Sequence, residues 1–494
     1  MSDERLPTGV PGLDPILGGG LIPNTLYLVK GAPGTGKTTL GLQFLLEGAR
    51  RGEKCLYLGL SETRGQIGTV ARSFGWNIEG IDIHDMRRRG EGGEEIASYT
   101  VFSPSEVELE EIGREVMEQI ERVNPARLVL DSLSEIRLLS ENPYRYRRAL
   151  LTLVDRITEQ RACTGLLLDV ESQGDQGVVA ETLTSGVLDL EQLSPEYGGE
   201  RRRVQVRKMR ASASMGGYHD LRIGEGGVEV FPRLVAATCR AKHSSAGVRT
   251  GVAELDALLG GGIDRGTSTL LIGPAGTGKS TIAAQIATQA AGRGDKAVIL
   301  CFDESPTNLL IRATALKMPL QKYVDAGAIE LVPVDPAELT PGQIAHRLRA
   351  QAERGCRVVV IDSLNGYLSA MPEERFLAAH LHELLAYLSE KGVVTLLTLA
   401  QHGFFGGSDT SVNISYVADA VLLFRYFEAA GEVRQALSVV KKRTGPHERT
   451  VRELRLGPDG VQLGEPLAGF QGGLVGNPGL QRGELPGGER ERSE

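Results

Sequence analysis

Gly31-Ala32-Pro33-Gly34-Thr35-Gly36-Lys37-Thr38 returns 242 positions later as Gly273-Pro274-Ala275-Gly276-Thr277-Gly278-Lys279-Ser280. Both stretches fit G-x-x-x-x-G-K-[ST], and cradling phosphate needs these residue types. Glycines let backbone N–H groups turn onto phosphate oxygens where a side chain would block the approach. The lysine reaches the β- and γ-phosphates, and the hydroxyl of Thr38 or Ser280 takes a position on Mg²⁺. An apolar run precedes each copy (26–29 and 270–272) and an amphipathic pattern follows it (39–49 and 281–291). Each loop therefore joins a strand to a helix N-terminus, where aligned peptide dipoles favour an anion. Two matches in register exclude a chance glycine-rich turn. The candidate ATP contacts are Gly34, Thr35, Gly36, Lys37, Thr38 and Thr39, with Gly276, Thr277, Gly278, Lys279, Ser280 and Thr281.

The repetition extends beyond the loops. Thr8-Gly9-Val10 through Gly18-Gly19-Gly20 recurs as Thr250-Gly251-Val252 through Gly260-Gly261-Gly262, and Leu13-Asp14 as Leu255-Asp256. The 494 residues thus read as two homologous α/β domains, 1–246 and 247–463, each long enough for its own core. A net charge of −8 argues against broad nucleic-acid binding. The five cysteines are scattered without a C-x-x-C and read as buried thiols. The first residues lack an apolar signal region, and no run approaches 18 apolar residues, so no membrane segment is expected and the cytoplasm is the default location.

In the first domain the strand 54–60 ends at Ser61-Glu62-Thr63. Residues at the carboxyl ends of strands in an open α/β sheet line the ligand crevice, so Glu62 is a candidate base for an attacking water. The alternative is a helix capped by Ser61 with Glu62 in its first turn. Residues 87–95 mix charge and glycine and read as a solvated loop, and 106–122 and 143–161 read as helices. The apolar strand 127–130 ends in Asp131, the expected magnesium carboxylate. Strand 165–169 follows. The run 201–209 alternates basic and apolar residues and closes on Lys208-Met209-Arg210, which reads as a solvated edge strand unless its cations serve a phosphate.

The second domain keeps the order. After a polar linker at 240–245, strand 297–302 leads to Asp303-Glu304, both candidate catalytic acids, with Asp303 also a candidate metal ligand. Strand 357–361 leads to Asp362, and strand 393–399 to Gln401-His402, where a phosphate contact by His402 is the less favoured reading. Lys441-Lys442-Arg443 stands where Lys208-Met209-Arg210 stood. A cation at the far edge of one subunit can reach a neighbour's γ-phosphate as an arginine finger does. Residues 464–494 are rich in Gly and Pro, a composition expected to stay disordered.

With these stretches, Arg72-Ser73-Phe74-Gly75-Trp76, the Asp-Ser-Leu pairs at Asp131 and Asp362, Gly431-Glu432-Val433-Arg434 and residues 441–447, the chain resembles the KaiC family. These are double-domain RecA-type ATPases of the circadian clock, and the likeness covers residues 6 to about 463. It implies two tandem RecA-like P-loop NTPase domains, each a mostly parallel twisted sheet flanked by helices. It implies a homohexamer of two stacked rings, ATP and Mg²⁺ between neighbouring subunits, slow hydrolysis in the first ring and self-phosphorylation in the second. By motif position Lys208, Arg210, Lys441 and Arg443 would cross the interface. The family carries Glu-Glu where this chain has Ser61-Glu62 and Asp303-Glu304. Its adjacent Ser-Thr acceptors fall on Ser415 and Tyr416, and Thr410 matches a further phosphosite. The leading expectation is an ATP-hydrolysing serine/threonine autokinase with regulatory protein partners. A DNA-dependent repair or recombination ATPase and a nucleotide-gated scaffold are the alternatives. The acidic balance and the tandem repeat oppose the former; intact Lys37, Thr38, Lys279 and Ser280 oppose the latter.

Overall fold

Two nine-stranded sheets organise the chain, one in each of two compact units, Met1–Arg233 and Leu234–Glu494. The computed structural model describes residues 5–86, 104–140, 142–159, 163–170, 175–195, 198–235, 247–369, 377–401, 417–429, 431–467, 470–471 and 479–480. In the first unit the strands are β1 (Leu26–Gly31), β2 (Cys55–Gly59), β3 (Ile81–Asp85), β4 (Arg127–Asp131), β5 (Thr164–Asp169), β6 (Gly186–Leu193), β7 (Arg201–Met209), β8 (Tyr218–Gly224) and β9 (Gly227–Phe231). They lie in the order β3-β2-β4-β5-β1-β6-β7-β8-β9. The second unit repeats this with β10 (Ser268–Gly273), β11 (Lys296–Cys301), β12 (Ile329–Pro333), β13 (Cys356–Asp362), β14 (Val394–Ala400), β15 (Ala420–Ala429), β16 (Glu432–Lys442), β17 (Val451–Gly457) and β18 (Gly460–Pro466). Its order is β12-β11-β13-β14-β10-β15-β16-β17-β18.

Six strands of each sheet are parallel and the last three antiparallel. The parallel strands read as unbroken apolar runs because helices cover both faces. On β4, Leu128 and Leu130 pack on one face with Leu56, Leu58, Ile120 and Leu150, while Val129 packs on the other with Leu40, Phe44 and Leu168. That alternation is the strand's two-residue period. The glycine-rich lead-in is structural in both units. Asp14 Oδ1 accepts from the Thr8 N–H at 2.9 Å and hydroxyl at 2.6 Å, and Asp256 Oδ1 from the Thr250 N–H at 2.8 Å.

The helices expected at 106–122 and 143–161 run Pro104–Val123 and Pro143–Glu159. The basic strand 201–209 is not an edge: β8 and β9 follow it in the chain and pair beyond it, so β7 is interior. The loop 87–95 and the linker 240–245 lie outside the described residues. Beyond residue 464 the structure carries β18 to Pro466 and pairs β19 (Phe470–Gln471) with β20 (Gly479–Leu480). Cys55, Cys163, Cys301 and Cys356 are buried free thiols. Among the described residues no helix is long and apolar enough to cross a membrane.

Candidate functional site

Both glycine-rich loops run from a central strand into a helix. The first lies between β1 and the helix Lys37–Arg50, the second between β10 and the helix Lys279–Ala291. Gly36 caps its helix at φ +100° and a Cβ there would sit 2.9 Å from Ile223 Cδ1; at Gly276 it would meet the Tyr426 hydroxyl oxygen at 2.5 Å. Glycine is what the loop requires at both points. The Thr35 and Thr277 hydroxyls turn inward onto the carbonyls of Ala32 and Pro274, and the Thr35 N–H also reaches the Ala32 carbonyl at 3.4 Å. Thr39 and Thr281 are buried in the first helical turn.

Lys37 Nζ donates to the carbonyls of Gly31 and Ala32 at 2.7 and 2.9 Å, and Lys279 Nζ to Gly273 and Pro274 at 2.8 and 2.7 Å. Burial lowers the pKa of Lys37, with Asp131 and Asp169 opposing it, and brings that of Lys279 down to about 8 against the pull of Asp362. Beside each lysine a hydroxyl and a carboxylate converge. Thr38 Oγ1 donates to Asp131 Oδ2 at 2.7 Å, and Ser280 Oγ to Asp362 Oδ1 at 3.0 Å. Hydroxyl and carboxylate oxygens beside a phosphate cradle are the donor set that suits Mg²⁺.

The acids at the ends of β2 and β11 differ in their partners. Ser61 does not cap a helix; Thr63 does, closing a capping box with Gln66, and Glu62 lies before the helix. Glu62 Oε2 is buried and has no partner among the described residues. Burial first, then Asp131, raises the Glu62 pKa. Glu304 instead pairs with Arg312 at 2.8 Å, and Asp303 accepts a hydrogen bond from Ser363. Arg312 stands eight residues after Glu304; eight after Glu62 stands Val70.

The basic triplets lie away from the loops of their own domains. Lys208 pairs with Val187, which pairs with Leu28, three residues before Gly31; Lys441, Val421 and Leu270 repeat the relation before Gly273. That is about 10 Å back along the strands. Lys208 Nζ donates to the carbonyls of Glu181 and Thr184, both at 2.6 Å, and Arg210 to Thr182 at 3.0 Å. Lys441 donates to Ala418 and Arg443 pairs with Asp419 at 3.6 Å. Met209 packs against the first core, and Lys442 is tied to Leu259 and Asp264. His402, Thr410, Ser415 and Tyr416 lie outside the described residues.

Several neighbours of the loops escaped the sequence reading. Arg202 Nε donates to the Gly34 carbonyl at 3.1 Å, and in the second unit Tyr426 and Gln435 donate to Ala275 and Gly276. Tyr57 donates to Asp131 and Thr398 to Asp362. These residues come from β2, β7, β14, β15 and β16, so only strand order brings them to the loops. No short motif announces them.

A parallel-centred sheet with a lysine-bearing phosphate loop after its central strand, and an aspartate two strands away facing the loop's hydroxyl, defines a P-loop ATPase of RecA-like architecture. The chain holds two. The family model "ATPase: KaiC" matches residues 6–235 and again 248–468, and the chain belongs to that family. It is 25% identical to the circadian clock oscillator protein KaiC of Parasynechococcus marenigrum over 97% of this chain and 94% of that protein. It is 26% identical to the circadian clock protein KaiC3 of Synechocystis (96% and 94%) and to the circadian clock oscillator protein KaiC of Synechococcus elongatus (96% and 92%). ATP is the nucleotide this family's domains bind.

Proposed function

We propose that the chain is a Mg²⁺-dependent ATP-driven ring, a homohexamer with ATP between neighbours, whose two domains divide hydrolysis and self-phosphorylation. It would work in the cytoplasm with regulatory protein partners. The observation that carries the division is the unequal state of the strand-end acids. In the first domain the half-buried Glu62 keeps its Oε2 buried without a partner among the described residues and lies near Asp131, whereas Glu304 is held by Arg312 and Asp303 receives the Ser363 hydroxyl.

Ser61 cannot take a proton at neutral pH, so Glu62 is the base that accepts one from the water attacking ATP in the first domain. Lys37 and the loop N–H groups would hold the phosphates, and Thr38 and Asp131 would hold Mg²⁺. Bound there, the metal neutralises charge developing on the transferred phosphoryl group. In the second domain Lys279, Ser280 and Asp362 play the matching parts, and Asp303 takes the proton of a serine hydroxyl. That serine is Ser415, with Thr410 as second choice; a phenol at Tyr416 projects too far for the 3–3.5 Å approach in-line transfer needs. Lys208, Arg210, Lys441 and Arg443 suit a neighbour's γ-phosphate, because they are displaced from their own.

The test is incubation with Mg-ATP followed by mass-spectrometric site mapping, with sizing in the presence and absence of nucleotide. Phosphate on Ser415, lost in Ser415→Ala and reduced in Asp303→Asn, is expected, as is a nucleotide-dependent hexamer. Label confined to Tyr416, or a monomer under both conditions, refutes the reading.

A further inference from the structure

Asp131 and Asp362 occupy matching places, yet each receives a second hydroxyl from a different flanking strand. On Asp131 it is Tyr57 of β2, whose hydroxyl donates to Oδ2 at 2.7 Å. On Asp362 it is Thr398 of β14, which donates to Oδ1. Register makes the exchange explicit. Tyr57 pairs with Val129, and Ile299 with Val360, so isoleucine holds the tyrosine's place in the second sheet. Asp131 pairs with Leu168, and Ile361 with Leu397, so Leu168 holds the place of Thr398 in the first. One sheet reaches its carboxylate from the outer side and the other from the inner side.

The outcome is the same in both. Each second hydroxyl falls on the oxygen already bonded by the loop's own hydroxyl, Thr38 Oγ1 on Asp131 Oδ2 or Ser280 Oγ on Asp362 Oδ1. A carboxylate turns readily about its last bond, since that torsion is broad. Two donors on one oxygen oppose that turn and leave the other oxygen's lone pairs outside this pair of bonds. Tyr57 and Thr398 are 0% and 1% exposed, so neither hydroxyl can exchange its partner for bulk water.

We infer that Tyr57 and Thr398 are interchangeable positioning residues, each locking its domain's aspartate in the rotation that receives Mg²⁺. The inference rests on the reading of Asp131 and Asp362 as magnesium carboxylates. Loss of a partner behind a metal-binding carboxylate weakens metal affinity by about 10–100-fold.

The test uses the full chain with Lys279→Ala, which leaves the first loop alone to bind a fluorescent ATP analogue at varied Mg²⁺. Tyr57→Phe is expected to raise the Mg²⁺ concentration for half-maximal binding by about tenfold, with metal-free nucleotide affinity unchanged. Adding Leu168→Thr, the second domain's device, is expected to restore most of the loss. In the Lys37→Ala chain, Thr398→Val and then Ile299→Tyr form the mirror pair. An unchanged Mg²⁺ requirement in Tyr57→Phe, or an equal loss with and without metal, overturns the inference. Asp131→Asn separates the two readings. If it too leaves the requirement unchanged, the magnesium assignment falls; if it alone raises it, only the positioning role falls.

Discussion

Val70→Arg gives the first domain the clamp that the second already has. Arg312 meets Glu304 at 2.8 Å with the two side chains 35% and 26% exposed. A pair so placed contributes at most about 1 kcal/mol, which is roughly a fivefold preference for the clamped acid. Built at position 70, the same guanidinium should hold Glu62 away from the attacking water most of the time. In the Lys279→Ala chain, steady-state hydrolysis at neutral pH is expected to fall about fivefold on this ion-pair scale, against at least about tenfold for Glu62→Gln, which removes the base. The pH profile supplies an independent sign. As the proposed base Glu62 would work as the carboxylate, and burial and Asp131 raise its pKa. Activity therefore disappears as pH falls through a value above that of an ordinary glutamate. An arginine favours the charged carboxylate, so Val70→Arg should move this acid limb to lower pH while lowering the plateau. Glu62→Gln should erase the limb. A rate and limb both unmoved by Val70→Arg, or a limb moved upward, would refute the assignment of Glu62 as base.

Two further outcomes concern the frame around the site. Arg127→Leu should destabilise the first domain by about 3 kcal/mol: it leaves Glu53 and the carbonyls of Pro7 and Phe44 without the guanidinium they share. Denaturant unfolding followed by the fluorescence of Trp76, the single tryptophan, reads this, and an unshifted midpoint would contradict it. Gly36→Ala should abolish nucleotide binding at the first loop without unfolding the chain, since its φ of +100° and the 2.9 Å approach to Ile223 penalise a Cβ at the cradle itself; titration with a fluorescent nucleotide in the Lys279→Ala background checks it.

The features legible in the sequence are those whose chemistry is local. The loops were readable because glycine, lysine and hydroxyl must follow one another within eight residues. Asp131 and Asp362 were readable because each closes an apolar run. Tyr57 sits inside such a run and looked like core; it becomes a donor to Asp131 only because β2 lies beside β4. Lys30 is similar. It ends the apolar part of β1, and register places it between Asp169 on β5 and Asp189 on β6, with Lys30 Nζ 3.6 Å from Asp189 and 2.8 Å from Glu181. At the same register in the second sheet stand Leu399, Ile272 and Leu423. Comparing the repeats loop by loop hides this exchange of charge for packing. The basic triplets misled in another way: alternation on β7 suggested an edge, but the strands that cover it are short and carry no distinctive pattern.

The differences between the repeats are consistent with one another. Glu62 and Glu304 hold the same place, as do Ser61 and Asp303, and Val70 and Arg312. Replacing an acid by Ser61 alone would leave the first domain with one remaining strand-end carboxylate. Were an arginine at 70 to clamp that carboxylate, no base would be available at neutral pH. Valine at 70 removes the clamp, and burial, with Asp131 adding to it, raises the proton affinity of Glu62, whose Oε2 has no partner among the described residues. In the second domain the opposite combination holds: the retained first acid, Asp303, is engaged by Ser363, so the second acid, Glu304, is spared for an ion pair. Each domain thus keeps one carboxylate outside an ion pair with arginine, at adjacent positions of the same strand end. That one-residue displacement, more than the presence or absence of a motif, is the physical ground for proposing different acceptors in the two domains: water in the first and a side-chain hydroxyl in the second.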